Sequence, residues 1–564
     1  MRKLILFVTV FVCFYQIFGQ KYPQHYFRSP LDIPLVLSGT FGELRNNHFH
    51  SGIDIKTKQR EGLKIYAVAD GYVSRIKVAL LGYGKVIYIT HHNGYTSVYA
   101  HLSKFGNGIE EYVKRIQYKK EAYEIGNIYL KPNQITVNKG QVIGYSGSTG
   151  GSSTPHLHYE LRDTKTEKII NPLLFGLKVE DTIAPKIVKL MAYTIDNQSR
   201  INHSNKNQMI AIRKKDHHHY ISNRITASGR IGFGISVHDL LNNAANKNGV
   251  HSIEMLVNEK KVYYHDLETF SFAESKYINL LIDYPYYYKY KRKIQKMHIA
   301  KGNNLSIYED VINNGVITIE NNKNYFVKII ATDVVGNKTT ATIPIVGKEP
   351  NTIYTEAITT TPYKIKASEF NTFQKNGVTI AFPKNTFYED TYLNFDVKDH
   401  IATIHEPSVP LDKKFTLTFD VPRYSDVEKE QLFIANMNHK KYANYQQTKK
   451  KKDKFYTTTK TLGKYALLID NQKPKIYNLN FKNDQWITYK DKIQVHISDT
   501  GSGIKSYRAT IDGEWILMEY DLKEKRLTYN FQDKKLVGSK HSFKIVVSDN
   551  IGNTNTLSAT FYKK

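Results

Sequence analysis

Short runs of β-branched and aromatic residues, closed by glycine turns, dominate the N-terminal part of the chain and favour antiparallel sheet over a helical fold. Tyr72–Val78 and Lys85–Thr90 are two such runs, and the turn dipeptides Asp70-Gly71 and Asn93-Gly94 lie beside them. Runs of this composition are typical of strands, and Asp-Gly and Asn-Gly reverse the chain readily. The sequence therefore predicts a compact antiparallel β domain over residues 21–177.

One segment of this region has a helical pattern. Ile109, Tyr112, Val113 and Ile116 recur at helical spacing with charged residues between them, which predicts an amphipathic helix. The helix lies in an insertion at about residues 106–138. Such an insertion can narrow substrate choice or act as a lid, and an inert surface insertion is an equal alternative.

Two stretches of the remaining chain repeat each other. Ala184–Leu190 resembles Lys473–Leu479, since both begin with a Pro-led strand pattern. Val327–Asn337 resembles Phe543–Asn553, and both end in Asp-x-x-Gly-Asn, which is a turn signal. Repeated strand-rich units of this size resemble bacterial immunoglobulin-like sandwiches.

The repeats suggest limits for the later domains. We predict immunoglobulin-like β-sandwich regions over residues 178–348 and 471–564, and a β-rich domain of unassigned fold over residues 349–470. The predicted fold class is mainly β, with an N-terminal antiparallel β domain that carries a helical insertion and about three β-sandwich domains after it.

The N-terminus has the features of an export signal. Arg2 and Lys3 precede an apolar run over Leu4–Phe14, and Gly19 is a small residue at a suitable cleavage position. The run is too short to span a bilayer comfortably. We predict a cleavable signal peptide over residues 1–20 and a secreted or periplasmic protein of the cell envelope, with an N-terminal anchor as the alternative. No later segment is a credible membrane span.

The net positive charge of the chain limits which classes of binding partner are expected. The chain has 80 Lys and Arg against 52 Asp and Glu, a net charge of +28, and its one cysteine lies in the predicted signal peptide. Outside the cytoplasm an excess of positive charge favours anionic envelope polymers. Nucleic acid is the other polyanion, but the sequence has no nucleic-acid-binding motif, so we predict no nucleic-acid partner.

Four histidines and one aspartate gather in three segments of the first domain. His50 and Asp54 would be about 13 Å apart on a straight strand, but a glycine between them lets the chain bend. His101 ends a predicted strand, and His156 and His158 point to one face of another. Three ligands of this type suit catalytic zinc better than calcium, and two histidines would remain for proton transfer and oxyanion stabilisation.

The three segments together resemble the LytM/lysostaphin family of zinc endopeptidases, which cut peptide cross-links of peptidoglycan. The family pattern is His-x-x-x-Asp, Tyr-x-His-Leu and His-x-His. This chain has the three motifs in that order at His50–Asp54, Tyr99–Leu102 and His156–His158. The resemblance covers residues 38–175, and the joint match is far more specific than any one motif.

The resemblance implies the chemistry and the role of each residue. One Zn²⁺ per chain is held by His50, Asp54 and His158. His101 and His156 are the catalytic pair, and which of them takes the proton of water is left open. The implied function is a secreted zinc metalloendopeptidase that hydrolyses the stem-peptide cross-links of peptidoglycan. The alternatives are a catalytically inactive wall-binding or regulatory protein on the same scaffold, and an extracellular protease with a protein substrate.

Overall fold

The computed structural model describes residues 21–349, 360–439 and 441–564. The predicted signal peptide lies outside these ranges. The protein is mainly β, as predicted, and its strands fall into four successive regions of the chain. Among the described residues, no helix has both the length and the apolar character needed to cross a membrane.

The first region contains twelve short strands and one α-helix. Strands β1–β12 span, in order, Leu37–Gly39, Ile53–Lys56, Lys64–Tyr66, Gly71–Val78, Lys85–His91, Tyr95–Ala100, Lys104–Phe105, Ile125–Tyr129, Thr136–Val137, Val142–Tyr145, His156–Asp163 and Ile169–Ile170. Helix α1 spans Ile109–Lys120, and a 3-10 helix spans Pro172–Phe175.

Strand β11 lies inside the main antiparallel sheet of this region, whose strand order is β1-β2-β11-β6-β5-β4-β8. A smaller sheet has the order β3-β10-β7. On β11, Leu157, Tyr159 and Leu161 are fully buried in the hydrophobic core. Because side chains alternate along a strand, His156 and His158 share the opposite face.

The regular elements of the three later regions are mostly strands. The second has Lys186–Thr194, Arg200–Ile201, Gln208–Ile210, Ile212–Lys214, His219–Ser222, Ile225–His238, Ser252–Val257, Lys260–Asp266, Thr269–Phe270, Gln295–Lys296, Tyr308–Glu309, Ile317–Ile319, Asn324–Thr332 and Lys338–Gly347, with helices Ile278–Leu281 and Tyr284–Tyr290. The third has Lys364–Ile365, Asn371–Lys375, Val378–Phe382, Thr391–Tyr392, Phe395–Lys398, Ile401–Ile404, Phe415–Asp420, Leu432–Asn436, Asn444–Tyr445, Lys449–Lys451, Lys454–Thr459 and Gly463–Ile469, with helix Asp426–Gln431. The fourth has Lys475–Tyr477, Gln485–Trp486, Lys492–Ser498, Ile504–Ile511, Glu514–Trp515, Glu519–Asp521, Arg526–Asn530, Lys540–Asp549 and Thr554–Tyr562.

The second region extends the first one. Its strand Thr269–Phe270 pairs with β12. The ring of Phe270 is fully buried and lies 4.9 Å from that of Phe41 and 5.1 Å from that of Phe49, measured between centroids. Part of the hydrophobic core around the N-terminal sheet therefore comes from a residue beyond the predicted domain limit.

The insertion over residues 106–138 also belongs to the first core. Its strand β8 pairs with β4, and Ile109 and Val113 of α1 are buried in the same hydrophobic cluster as the main sheet. Such burial gives a 12-residue helix most of its stability, because isolated helices of this length are marginal in water. Removal of the insertion would open the core.

The outer side of the insertion is a docking surface for the fourth region. The ring of Tyr118 meets that of Trp515 edge-on, with centroids 5.2 Å apart. Lys114 Nζ lies 2.5 Å from a carboxylate oxygen of Asp533. Trp515 is 9% exposed and is part of the hydrophobic cluster of the first region. The helix predicted from the sequence is present, and its outer side contacts the fourth region.

Candidate functional site

The register of three strands brings the predicted site residues together. His158 on β11 lies opposite Asp54 on β2 and opposite Ala100 on β6. His101 directly follows β6 and adopts a left-handed backbone conformation, with φ of 61°. His50 precedes β2 in a bent segment, as the glycine between His50 and Asp54 suggests. The pairing of β2, β11 and β6 therefore gathers side chains that are far apart in the sequence.

The donor atoms of His50, Asp54 and His158 form a nearly equilateral triangle. His50 Nε2 is 3.0 Å from both Asp54 Oδ1 and His158 Nδ1, and His158 Nδ1 is 2.9 Å from Asp54 Oδ1. Ligand atoms bound to one tetrahedral zinc ion are about 3.3 Å apart. All three residues are buried. The donor types and their spacing therefore fit a single zinc ion.

Both histidines of this triangle are oriented by acceptors outside it. His50 Nδ1 donates to the carbonyl oxygen of Thr40 at 2.7 Å, so its Nε2 faces the triangle. His158 has the reverse orientation, because its Nε2 lies 2.9 Å from Glu160 Oε1 and its Nδ1 faces the triangle. Contacts of this kind fix the ring and raise the basicity of the nitrogen that would bind a metal.

His101 and His156 form a second pair beside the triangle, with ring centroids 4.8 Å apart. His101 Nδ1 donates to the carbonyl oxygen of Thr149 at 2.8 Å, and His156 Nδ1 donates to that of Thr154 at 2.8 Å. Burial, together with the nearby His158 and His156, lowers the pKa of His101 to about 3. His101 is therefore neutral near pH 7, with its Nε2 able to accept a proton.

Glu160 is the most important residue that the sequence analysis missed. Its Oε1 accepts a hydrogen bond from Ser51 Oγ at 2.6 Å and another from the Tyr83 hydroxyl, and its Oε2 accepts from Arg162 Nε at 2.7 Å. Burial would raise the pKa of Glu160, but Arg162 and the hydrogen bond from His158 outweigh it and lower the pKa. Its position two residues after His158, on the same strand face, was the signal available in the sequence.

The two oxygens of Asp54 have different partners. Oδ1 faces the imidazoles, and Oδ2 accepts a hydrogen bond from Arg45 at 3.0 Å. Burial would raise the pKa of Asp54, but the neighbouring imidazoles, His50 foremost, hold it well below its usual value. The carboxylate is thus ionised near neutral pH, which is the form that binds a metal.

The five side chains line an open cleft of about 580 Å³. The second region contributes Phe272 to its wall, and this side chain is 47% exposed although large and apolar. The guanidinium of Arg162 lies 4.7 Å from the centroid of the Phe272 ring. The insertion over residues 106–138 supplies none of the described residues that line the cleft. The described residues of the insertion therefore do not form a wall of the cleft, and its role in substrate choice stays open.

Family comparisons match two parts of the chain. Residues 48–128 and 117–172 match peptidase family M23, and residues 362–470 match the Zu5-like domain. The first match covers all five candidate site residues. The second lies within the predicted domain of unassigned fold.

Individual relatives match the same N-terminal part. The DD-carboxypeptidase/endopeptidase Mpg of Neisseria meningitidis is 37% identical over 137 residues, which is 23% of this chain and 25% of the relative. The murein hydrolase activator NlpD of Escherichia coli is 35% identical over 136 residues, which is 24% of this chain and 28% of the relative. The chain thus spans about a quarter of the length of these relatives.

Among solved structures, the catalytic domain of the prophage-encoded M23 protein EnpA of Enterococcus faecalis is 26% identical. That match covers 28% of this chain and 99% of the other, with a TM-score of 0.19.

Proposed function

Because residues 48–172 form a peptidase family M23 domain, we propose that this protein is a zinc metalloendopeptidase that hydrolyses peptide cross-links of bacterial peptidoglycan. The observation that carries the proposal is the triangle of donor atoms from His50, Asp54 and His158. The second ring nitrogen of each imidazole contacts an acceptor outside the triangle, which orients the ring. These three residues would hold one zinc ion and leave a fourth position open, as catalytic zinc sites do.

The remaining residues of the cleft have roles that follow from their hydrogen bonds. Bound zinc supplies Lewis-acid chemistry that polarises a peptide carbonyl and acidifies water. His101 and His156 each direct Nδ1–H outwards and present Nε2 to the cleft, so either can accept the proton of the attacking water. The protonated ring is then a donor for the oxyanion or the departing amine.

A regulatory protein without catalysis is the second candidate, because one relative is named a murein hydrolase activator. We favour the enzyme, because all three proposed ligands and both catalytic histidines are present in one cleft. Loss of catalysis would be expected to leave at least one of these positions unfilled or misdirected.

We place the substrate in the cell envelope. The net charge of +28 favours association with anionic envelope polymers, and one relative is named an endopeptidase and another a murein hydrolase activator. The proposed location is secreted or periplasmic, after cleavage of the predicted signal peptide. The charge supplies weak, salt-dependent attraction, whereas the cleft selects the peptide.

Digestion of defined cross-linked muropeptides by the full mature chain tests the proposal. We expect new peptide termini with zinc-loaded protein, no products after chelation, and recovery when zinc is restored. Asp54→Ala is the matched loss-of-ligand variant. A zinc-loaded protein that binds sacculi but releases no product would support the regulatory candidate and contradict the enzyme.

A further inference from the structure

Three carboxylates from separate segments converge where the first region passes into the second. Asp181 lies in the linker before strand Lys186–Thr194, and Asp239 directly follows strand Ile225–His238. Asp333 begins the Asp-x-x-Gly-Asn turn identified in the sequence. One oxygen of each carboxylate lies within 4.8 Å of an oxygen of each of the others. This group is separate from the histidine cleft and shares no residue with it.

One carboxylate of this group is buried with an oxygen that has no hydrogen-bond partner. Asp239 is only 2% exposed, and its buried Oδ1 has no hydrogen-bond partner; the same holds for the buried Oδ2 of Asp181. Burial, together with the negative charges of Asp181 and Asp333, raises the pKa of Asp239 to about 8. Burying such a group without a partner or counter-charge is unfavourable, and it is surprising in a strongly cationic chain.

The fourth region contains a natural comparison for this group. Asp470, Asp499 and Asp549 occupy the matching linker, strand-end and turn positions, and they also lie within 4.8 Å of one another. The turn carboxylates Asp333 and Asp549 each accept three backbone amides, so the two groups differ at the other carboxylates. Asp470 Oδ2 accepts from the amide of Ser502 at 2.6 Å, and Asp499 Oδ2 accepts from the amide of Gly503 at 2.7 Å. Asp239, at the strand end of the second region, instead has a buried oxygen without a hydrogen-bond partner.

We propose that Asp181, Asp239 and Asp333 bind one Ca²⁺ ion at the junction of the first and second regions. The donors are all oxygens, which suit calcium and not zinc. Two oxygens bound to one calcium ion at 2.3–2.6 Å are at most about 5 Å apart, in agreement with the observed limit of 4.8 Å. Water and backbone carbonyls would complete the coordination shell.

The ion would join three segments that are far apart in the sequence. It would attach the linker that carries Asp181 to the strand end at Asp239 and to the turn at Asp333. Asn337 of that turn already contacts the linker, because its amide nitrogen lies 3.4 Å from the carbonyl oxygen of Asp181. Calcium would therefore stiffen the junction, and its effect should appear in stability whether or not the protein is a peptidase.

Calcium titration of the full mature chain, loaded with zinc and freed of calcium, tests the proposal. The variant is Asp239→Asn, whose amide is of the same size but cannot supply the carboxylate that calcium would bind. Sites in extracellular modules bind calcium with Kd of about 10⁻⁴–10⁻³ M, so calorimetry and thermal melts should extend to about 10 mM. We expect calcium to raise the Tm of the parent and Asp239→Asn to bind about one ion fewer per chain.

Asp499→Asn is the matched control in the fourth region. It should keep the parent's response to calcium at the junction of the first and second regions. Without calcium, Asp239→Asn should melt at or above the temperature of the parent, because the folded parent must keep this buried carboxyl protonated near pH 7 and the amide has no such cost. The proposal is overturned if calcium neither binds to the parent nor raises its Tm, or if Asp239→Asn responds to calcium as the parent does. Neither readout depends on cleavage of peptidoglycan.

Discussion

Replacing Glu160 with Gln tests the support behind the proposed metal ligands. Gln keeps a carbonyl acceptor for His158 Nε2 but removes the charge that Arg162 faces. Mutation of a residue that supports a metal ligand weakens metal affinity by about 10–100-fold, which corresponds to about 1.4–2.7 kcal/mol. Arg162 has a side chain that is only 4% exposed, and breaking a buried ion pair costs about 3–5 kcal/mol of unfolding free energy.

Glu167→Gln is the matched control for this prediction. Glu167 also accepts a hydrogen bond from Arg162, at 3.0 Å, but its side chain is 50% exposed. An exposed pair contributes about 1 kcal/mol or less, so this variant should bind zinc and melt nearly as the parent does. Competition with a chromophoric chelator measures zinc affinity, and calorimetry measures stability. Parental zinc affinity and an unchanged melt for Glu160→Gln would refute the assignment of Glu160.

Three further predictions concern packing and pH. Trp515→Ala should release the fourth region from the insertion, which separate calorimetric transitions and faster proteolysis would show. Trp486→Ala is the control, because Trp486 is 50% exposed, and it should show neither effect. Identical behaviour of the two variants would contradict the docking surface. A chain ending at residue 178 should be less stable than the parent, because it lacks Phe270, and an undiminished Tm would show that this contact is dispensable. Burial lowers the pKa of His265 to about 3, so below pH 6.5 the unfolded state binds one proton more than the folded state. The free energy of unfolding should therefore fall by about 1.4 kcal/mol per pH unit from pH 6.5 towards pH 3. Denaturation at a series of pH values should show a smaller slope for His265→Gln than for the parent, and an equal slope would contradict the prediction.

The sequence was informative about the first region because its strands obey a simple alternation. His156 and His158 were placed on one face by their spacing alone, and the structure has them on one face of β11. The convergence of β2, β6 and β11 was implied by family resemblance, because pairing between distant strands is not encoded in local spacing. The proposed role of each histidine stays a prediction.

The orientation of the histidine rings and the contacts of the insertion could not be predicted from the sequence, for physical reasons. His50 and His101 are oriented by backbone carbonyl oxygens of Thr40 and Thr149, and any residue type supplies such an acceptor. The contact between the insertion and Trp515 could not be predicted, because Trp515 lies in a distant part of the chain. Its apolar positions predicted a helix correctly, but they could not tell which surface the outer side of the helix would contact.

The most direct test of the proposed zinc peptidase is zinc content measured together with turnover in four alanine variants. Asp54→Ala and His158→Ala remove proposed ligands, so zinc and activity should fall together. His101→Ala and His156→Ala leave the ligands in place, so zinc should stay near one per chain while turnover on cross-linked muropeptides falls by about 10²–10⁴-fold. Loss of zinc from His156→Ala with retention in His158→Ala would reverse the assignment, and parental turnover in all four would contradict the proposed function.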